Sequence, residues 1–240
     1  FATGLFFSGA KWGPALGAPI ATWLIQSYSW RVMFFGLGLG GLVWLLPWVL
    51  VARDRRLVVE VESAPPFPLR ALFTERVMWG TLIGTFCYNY FAFYAVTWLP
   101  AYFVEQRHFP LTTMGFITGF SYLGMATVAI LAGLAADWFI AQGGHPVNVR
   151  RGFTITGLLV ASTEVIGALS SSDQTAAIFS VISMAGLGLA TANYWSLPQT
   201  VMPAAAAGRV GGAQNVALTA AGIVAPLLTA WLKQTSGGYT

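Results

Sequence analysis

Two charges in this chain lie where charge is costly. Lys11 sits about a third of the way into an apolar run, and Glu164 sits in another, just after Val160-Ala161-Ser162-Thr163. An ionisable group inside a membrane span is a functional hypothesis by default. Lys11 could hold a substrate carboxylate, pair with an acidic residue elsewhere, or snorkel along its alkyl stem to the headgroups. Glu164 could carry a proton, but Asp173 follows closely, so the carboxyl could equally lie near the outer interface. Neutral polar groups form further constellations. Phe86, Tyr90, Tyr94 and Thr97 recur at helical spacing and share a face, with Asn89 and Trp98 beside it. Aromatic bodies bearing hydroxyls can hydrogen-bond a carboxylate or polyol while stacking on its carbons. The same stripe could be a packed face with interfacial tyrosines. Asn193 and Ser196 face together beside Trp195, with Pro198 following where a gate could bend, and Asn215 and Thr219 form an i, i+4 pair. Such amides can equally be interhelical glue.

Gly133-x-x-x-Asp137, a short turn and then Arg150-Arg151 make one more constellation. A guanidinium can grip a carboxylate through two parallel hydrogen bonds, so Asp137, Arg150 and Arg151 could latch one conformation, or could merely anchor helix ends. His108 and His145 fall in predicted loops, exposed to solvent. No clustered metal ligands, Ser-His-Asp arrangement or phosphate-cradling glycine loop is visible, so neither a metal, a cofactor nor an enzyme is expected.

The elements that position these residues follow from composition. Of 240 residues, 56% are hydrophobic and 8% charged, against about 25% charged in soluble domains. Seven apolar segments stand out, at 2–25, 32–52, 77–103, 112–140, 153–170, 175–202 and 212–232. Each is long enough to span a bilayer. They lack the period-two alternation of a barrel strand, and in lipid only helices or closed barrels satisfy the backbone. An all-α integral membrane protein is expected. Cys87 lies inside a span and reads as a small packing residue.

Alternating the connections places Arg53, Arg55, Arg56, Arg70, Arg76, Arg150, Arg151 and Arg209 on one side, and Arg31, Arg107 and Lys233 on the other. The richer side is expected to be cytoplasmic. It holds the stretch 53–76, with Pro65-Pro66 and Pro68, which reads as a linker between two halves. The net charge of +4 does not point to nucleic acid. The chain starts without Met and stops just after a helix, which reads as truncation at both ends.

Thr97-Trp98-Leu99-Pro100-Ala101-Tyr102, the Gly133–Asp137 and Arg150-Arg151 pair, Trp30-Arg31 with Phe34-Phe35, and Gln214-Asn215 with Gly222 and Pro226 occur in an order that resembles major facilitator transporters. The branch they most resemble is the anion:cation symporters. Ser29 stands where that family commonly has Gly. The resemblance implies a partial major facilitator fold with about seven of twelve helices, numbers five to eleven. Residues 1–52 would end the N-terminal half, 53–76 would link the halves, and 77–240 would be the C-terminal half lacking its last helix. It further implies alternating access, transport of a small organic anion such as a sugar acid across a bacterial inner membrane, and symport with a proton or other cation. The substrate wall would include Lys11, Asn89, Tyr90, Tyr94, Asn193, Ser196 and Asn215, with Asn215 taking the role of an asparagine common in helix eleven of the branch. The linker 53–76 and loop 138–151 would be cytoplasmic, and the whole protein a monomer in lipid. The branch's anion-binding arginine and coupling acids would lie mainly in helices this chain does not contain, so the 240-residue piece is expected not to transport alone.

Gly9-x-x-x-Gly13-Pro14-x-x-Gly17 points elsewhere, resembling a helix-five motif of proton-coupled drug exporters, although small residues at this spacing also let helix backbones approach. A drug antiporter, or a non-transporting receptor on the same fold, is the alternative reading.

Overall fold

The computed structural model describes residues 2–51 and 68–236. The long apolar runs become helices, because a helix pairs its own N–H and C=O groups within one segment. In chain order they are α1 (Ala2–Ser27), α2 (Trp30–Leu42), α3 (Leu45–Val51), α4 (Leu69–Thr74), α5 (Arg76–Thr97), α6 (Leu99–Ala101), α7 (Leu111–Ala141), α8 (Pro146–Ala161), α9 (Glu164–Leu169), α10 (Asp173–Val201) and α11 (Ala207–Ser236). No strand occurs among the described residues. Five stretches there are long and apolar enough to cross a membrane: Trp30–Val51, Leu111–Ala141, Pro146–Leu169, Asp173–Val201 and Ala207–Ser236. The other two, α1 and α5, reach 26 and 22 residues and carry Lys11, Asn89 and several hydroxyls.

Local chemistry sets the boundaries. Ser29 caps α2 by accepting the Val32 N–H, and Ser172 caps α10 by accepting that of Thr175. Pro100 has no N–H to donate, so the α5 ladder breaks at Trp98. The chain then passes through a π-helical turn, Tyr102–Gln106, which turns Tyr102 and Phe103 into the core. Pro198, by contrast, does not end its helix, and α10 runs on to Val201.

Small residues hold the bundle together. A Cβ at Gly119 would come within 2.9 Å of the Ala15 carbonyl, and one at Gly4 within 2.9 Å of that of Ala129, so α1 lies antiparallel and close along α7. Gly157 and Gly186 face each other where α8 crosses α10. Gly222 packs on Phe93, and Gln214 on Thr85, so α11 runs parallel to α5. The expected Gly9, Gly13 and Gly17 stripe makes none of these approaches: nothing lies within 4 Å of where their Cβ atoms would be. Among the described residues the stripe packs against no helix, and Gly4, Gly115 and Gly119 supply the close contacts to α7 instead.

The helix directions gather Arg70, Arg76, Arg150, Arg151 and Arg209 at one end of the bundle, and Arg31, Arg107 and Lys233 at the other. Arg53, Arg55, Arg56 and most of the expected linker, residues 53–67, lie outside the described residues. The rest of that stretch is partly helical, as α4 and the first residue of α5. Two expectations about single positions change. Cys87 is exposed on α5 rather than packed. Arg150 and Arg151 stand inside α8 and not in a loop, because α7 runs to Ala141 and α8 starts at Pro146.

Candidate functional site

Helices α1, α5, α7 and α10 enclose a cavity of about 180 Å³. Lys11 enters it from α1, Asn89 and Phe93 from α5, Tyr122 and Met125 from α7, and Met184 from α10. The elements dictate who meets whom. The close α1–α7 packing carries Lys11 over to the Tyr122 side, and the antiparallel crossing of α5 and α10 brings in Asn89. Asn89 is 7% exposed and donates its amide to the Thr85 carbonyl at 2.8 Å. Lys11 forms no ion pair among the described residues, and the Tyr122 hydroxyl makes no hydrogen bond there. The cavity therefore offers an unpaired ammonium, a phenol hydroxyl and an amide above a floor of two methionines. This is a set of donors suited to one carboxylate and neighbouring hydroxyls.

Behind Asn89 the wall is stiff. The Tyr88 and Thr191 hydroxyls are 2.7 Å apart, and the Tyr88 and Tyr194 rings lie 4.4 Å apart at 30°. Trp195 follows Tyr194 edge-on at 5.9 Å and meets Phe7 of α1 at 5.4 Å. Such aromatic pairs add about 1 kcal/mol each beyond the area they bury.

The other expected site residues go elsewhere. Tyr90 and Tyr94 line a different space, a slot of about 510 Å³ between α5, α9 and α11, with Glu164, Thr229 and Lys233. Adjacent helical residues point about 100° apart, so Asn89 and Tyr90 serve different cavities. Asn193 is fully buried; its amide donates to the Leu189 carbonyl at 3.1 Å, and its Oδ1 has no partner. Ser196 donates to the Ala192 carbonyl at 2.7 Å. Asn215 and Thr219 lie on the exposed face of α11, and Gln214, fully buried, is the residue that turns to α5. Tyr122 was not singled out from the sequence; a tyrosine in the apolar, glycine-rich α7 was the available signal. Glu164 is 7% exposed and accepts a hydrogen bond from Ser183 of α10.

At the Asp137 end of the bundle, Arg150 meets Asp137 through a single 3.8 Å contact rather than a two-pronged grip, and Arg151 is exposed beside it. The turn between them depends on Gly143, whose φ of +94° lies in the left-handed region, and on Gly144, where a Cβ would come 2.7 Å from the Phe139 carbonyl. The opposite end is tied more tightly. Arg107 donates to the Tyr102 hydroxyl at 2.7 Å, pairs with Asp173 at 3.3 Å and also donates to the Gly167 and Ser170 carbonyls. Lys233 pairs with Glu105 at 2.7 Å and lies over the Trp98 ring. Both histidines are exposed.

The family model described as Major Facilitator Superfamily matches residues 1–226. Among similar proteins is the hexuronate transporter of Bacillus subtilis, 26% identical over 99% of this chain and 59% of its own length. A probable L-galactonate transporter of Escherichia coli K12 is 25% identical over 98% of the chain and 56% of its own length. The D-galactonate transporter of Escherichia coli O6:H1 is 27% identical over 98% and 60%. The chain thus spans less than two thirds of the length of these relatives.

Proposed function

The chain belongs to the Major Facilitator Superfamily and is a multi-pass membrane protein, and from that premise we propose that it is part of a transporter moving a sugar acid across a bacterial inner membrane by proton symport. The observation that carries this reading is the Lys11 ammonium, which has no counter-ion among the described residues and faces Asn89 and Tyr122 across a closed-in cavity. A half-buried cation without a partner is costly, and a substrate carboxylate relieves that cost on binding. Hydroxyls of a polyol chain then meet Tyr122 and Asn89. The names of the relatives, which concern hexuronate and galactonate, support the substrate class.

Proton symport follows from charge. A negative interior opposes anion entry by about 2.3 kcal/mol per charge at 100 mV, and a co-travelling proton cancels one carboxylate. Helices α1 to α3 form the end of one half and α5 to α11 most of the other, and access alternates as the halves rock. Asp137 with Arg150 and Arg151 latches this motion at the turn, on the cytoplasmic side together with the stretch 53–76, and the working unit is a monomer.

The test uses the complete gene product in proteoliposomes. Labelled galactonate and glucuronate are offered with an inward proton gradient. Gradient-dependent accumulation of either is the expected result. Movement of an amphipathic cation instead, with neither acid taken up, would assign the protein to drug export.

A further inference from the structure

We propose that Glu164 carries the coupling proton, held against the Ser183 hydroxyl in the slot between α5, α9 and α11. This rests on the proton-symport reading above and names the group that would serve it. The slot holds about 510 Å³, and Tyr90, Tyr94, Thr229 and Lys233 share its walls with the Glu164 carboxyl. Glu164 is 7% exposed, and no ion pair of it exists among the described residues. Lys233 faces the same slot, but its ammonium lies 2.7 Å from Glu105.

The hydrogen-bond geometry accommodates both protonation states. Ser183 Oγ has two acceptors in reach, Glu164 Oε2 and the Ser180 carbonyl at 3.0 Å, and a single hydrogen to give. With Glu164 ionised, the hydroxyl donates to the carboxylate. With Glu164 protonated, the carboxyl O–H donates to Ser183 Oγ, and the hydroxyl turns to the Ser180 carbonyl. One proton is gained, no heavy-atom bond is made or broken, and the Glu164–Ser183 hydrogen bond persists in either state without backbone movement. One turn away, Ser180 Oγ is buried with no partner, which adds a polar group to this wall of α10.

The slot adjoins the Lys11 cavity through α5, which lines both, and through α10, which lines the cavity and hydrogen-bonds Glu164. On α5, Asn89 faces the cavity and Tyr90 the slot; on α10, Met184 lines the cavity beside Ser183. A substrate that shifts either helix changes the Glu164 surroundings directly. The titratable groups facing Glu164 are Tyr90 and Tyr94 from α5 and Lys233 from α11, while α10 presents only serines to it.

The test reads two fluxes of labelled galactonate in proteoliposomes of the complete gene product: counterflow without a gradient, and accumulation under an inward proton gradient. Glu164→Gln is expected to keep counterflow within about twofold yet lose the roughly tenfold accumulation that one pH unit of gradient supports. Accumulation retained by Glu164→Gln, or counterflow lost along with it, overturns the proposal. Absence of gradient-driven accumulation in the wild type overturns the symport reading as well, so the two failures are told apart. If Glu164→Gln does not reach the membrane, Glu164→Asp decides: a displaced pH profile of accumulation supports the proposal, and an unchanged one overturns it.

Discussion

The Lys11 cavity and the Glu164 slot share helix α5 yet handle a charge within the bundle in opposite ways. Lys11 has no partner among the described residues and looks into a space with Asn89 and Tyr122. Glu164 has a partner, Ser183, on the neighbouring helix. An unpaired cation is a vacancy for an anion, whereas a carboxyl with a reversible hydrogen bond is a place to load and unload a proton. On the proposed reading substrate goes to the first space and coupling to the second, and that division can be broken experimentally from either side.

The largest expected effect falls on the unpaired charge. Lys11→Gln removes a charge-assisted hydrogen bond of about 2–3 kcal/mol, or roughly a hundredfold in affinity. Galactonate Kd by scintillation proximity reads it, and a change under about threefold would leave Lys11 a snorkelling residue. Tyr122→Phe should weaken the same Kd by about fivefold, the value of one neutral hydrogen bond, while melting of the purified protein shifts little, since that hydroxyl bonds no protein group described here.

Asp137→Asn is a control common to both cavities. The Arg150 contact is 3.8 Å long with Asp137 nearly half exposed, and loss of that ion pair should cost no more than about 1 kcal/mol. Counterflow and gradient-driven uptake should change together, by less than about fivefold. The smallest effect is expected for Tyr90→Phe, which should leave galactonate affinity within about twofold because Tyr90 lies in the slot. A loss as large as that of Tyr122→Phe would merge the two spaces into one site.

Much of this was legible in the chain. Seven apolar runs became the helical segments expected of them, and Pro100 and Ser29 broke and capped helices for local reasons that a sequence displays. Lys11 was also visible, since a charge within an apolar run needs no structure to be noticed. What the chain did not display shares a cause. Tyr90 and Tyr94 were grouped with Asn89 because one helix carried them, yet Asn89 turns to α10 and the tyrosines to α9 and α11. Asn215 was favoured over its neighbour, yet Gln214 faces α5. The Gly9–Gly17 stripe had the spacing for close packing but not the azimuth.

The sequence by itself determined that this is a bundle of membrane helices, how their directions alternate, and which charges lie within them, because hydrophobicity and backbone hydrogen bonding act locally. Only the tertiary structure decided which charge meets which partner. A helix carries its residues around its axis by about 100° each, and the side that faces a neighbour is fixed by close approaches such as Gly119 on Ala15 and Gly157 on Gly186. Those approaches bring Tyr122 to Lys11 and Ser183 to Glu164, pairs between residues far apart in the chain.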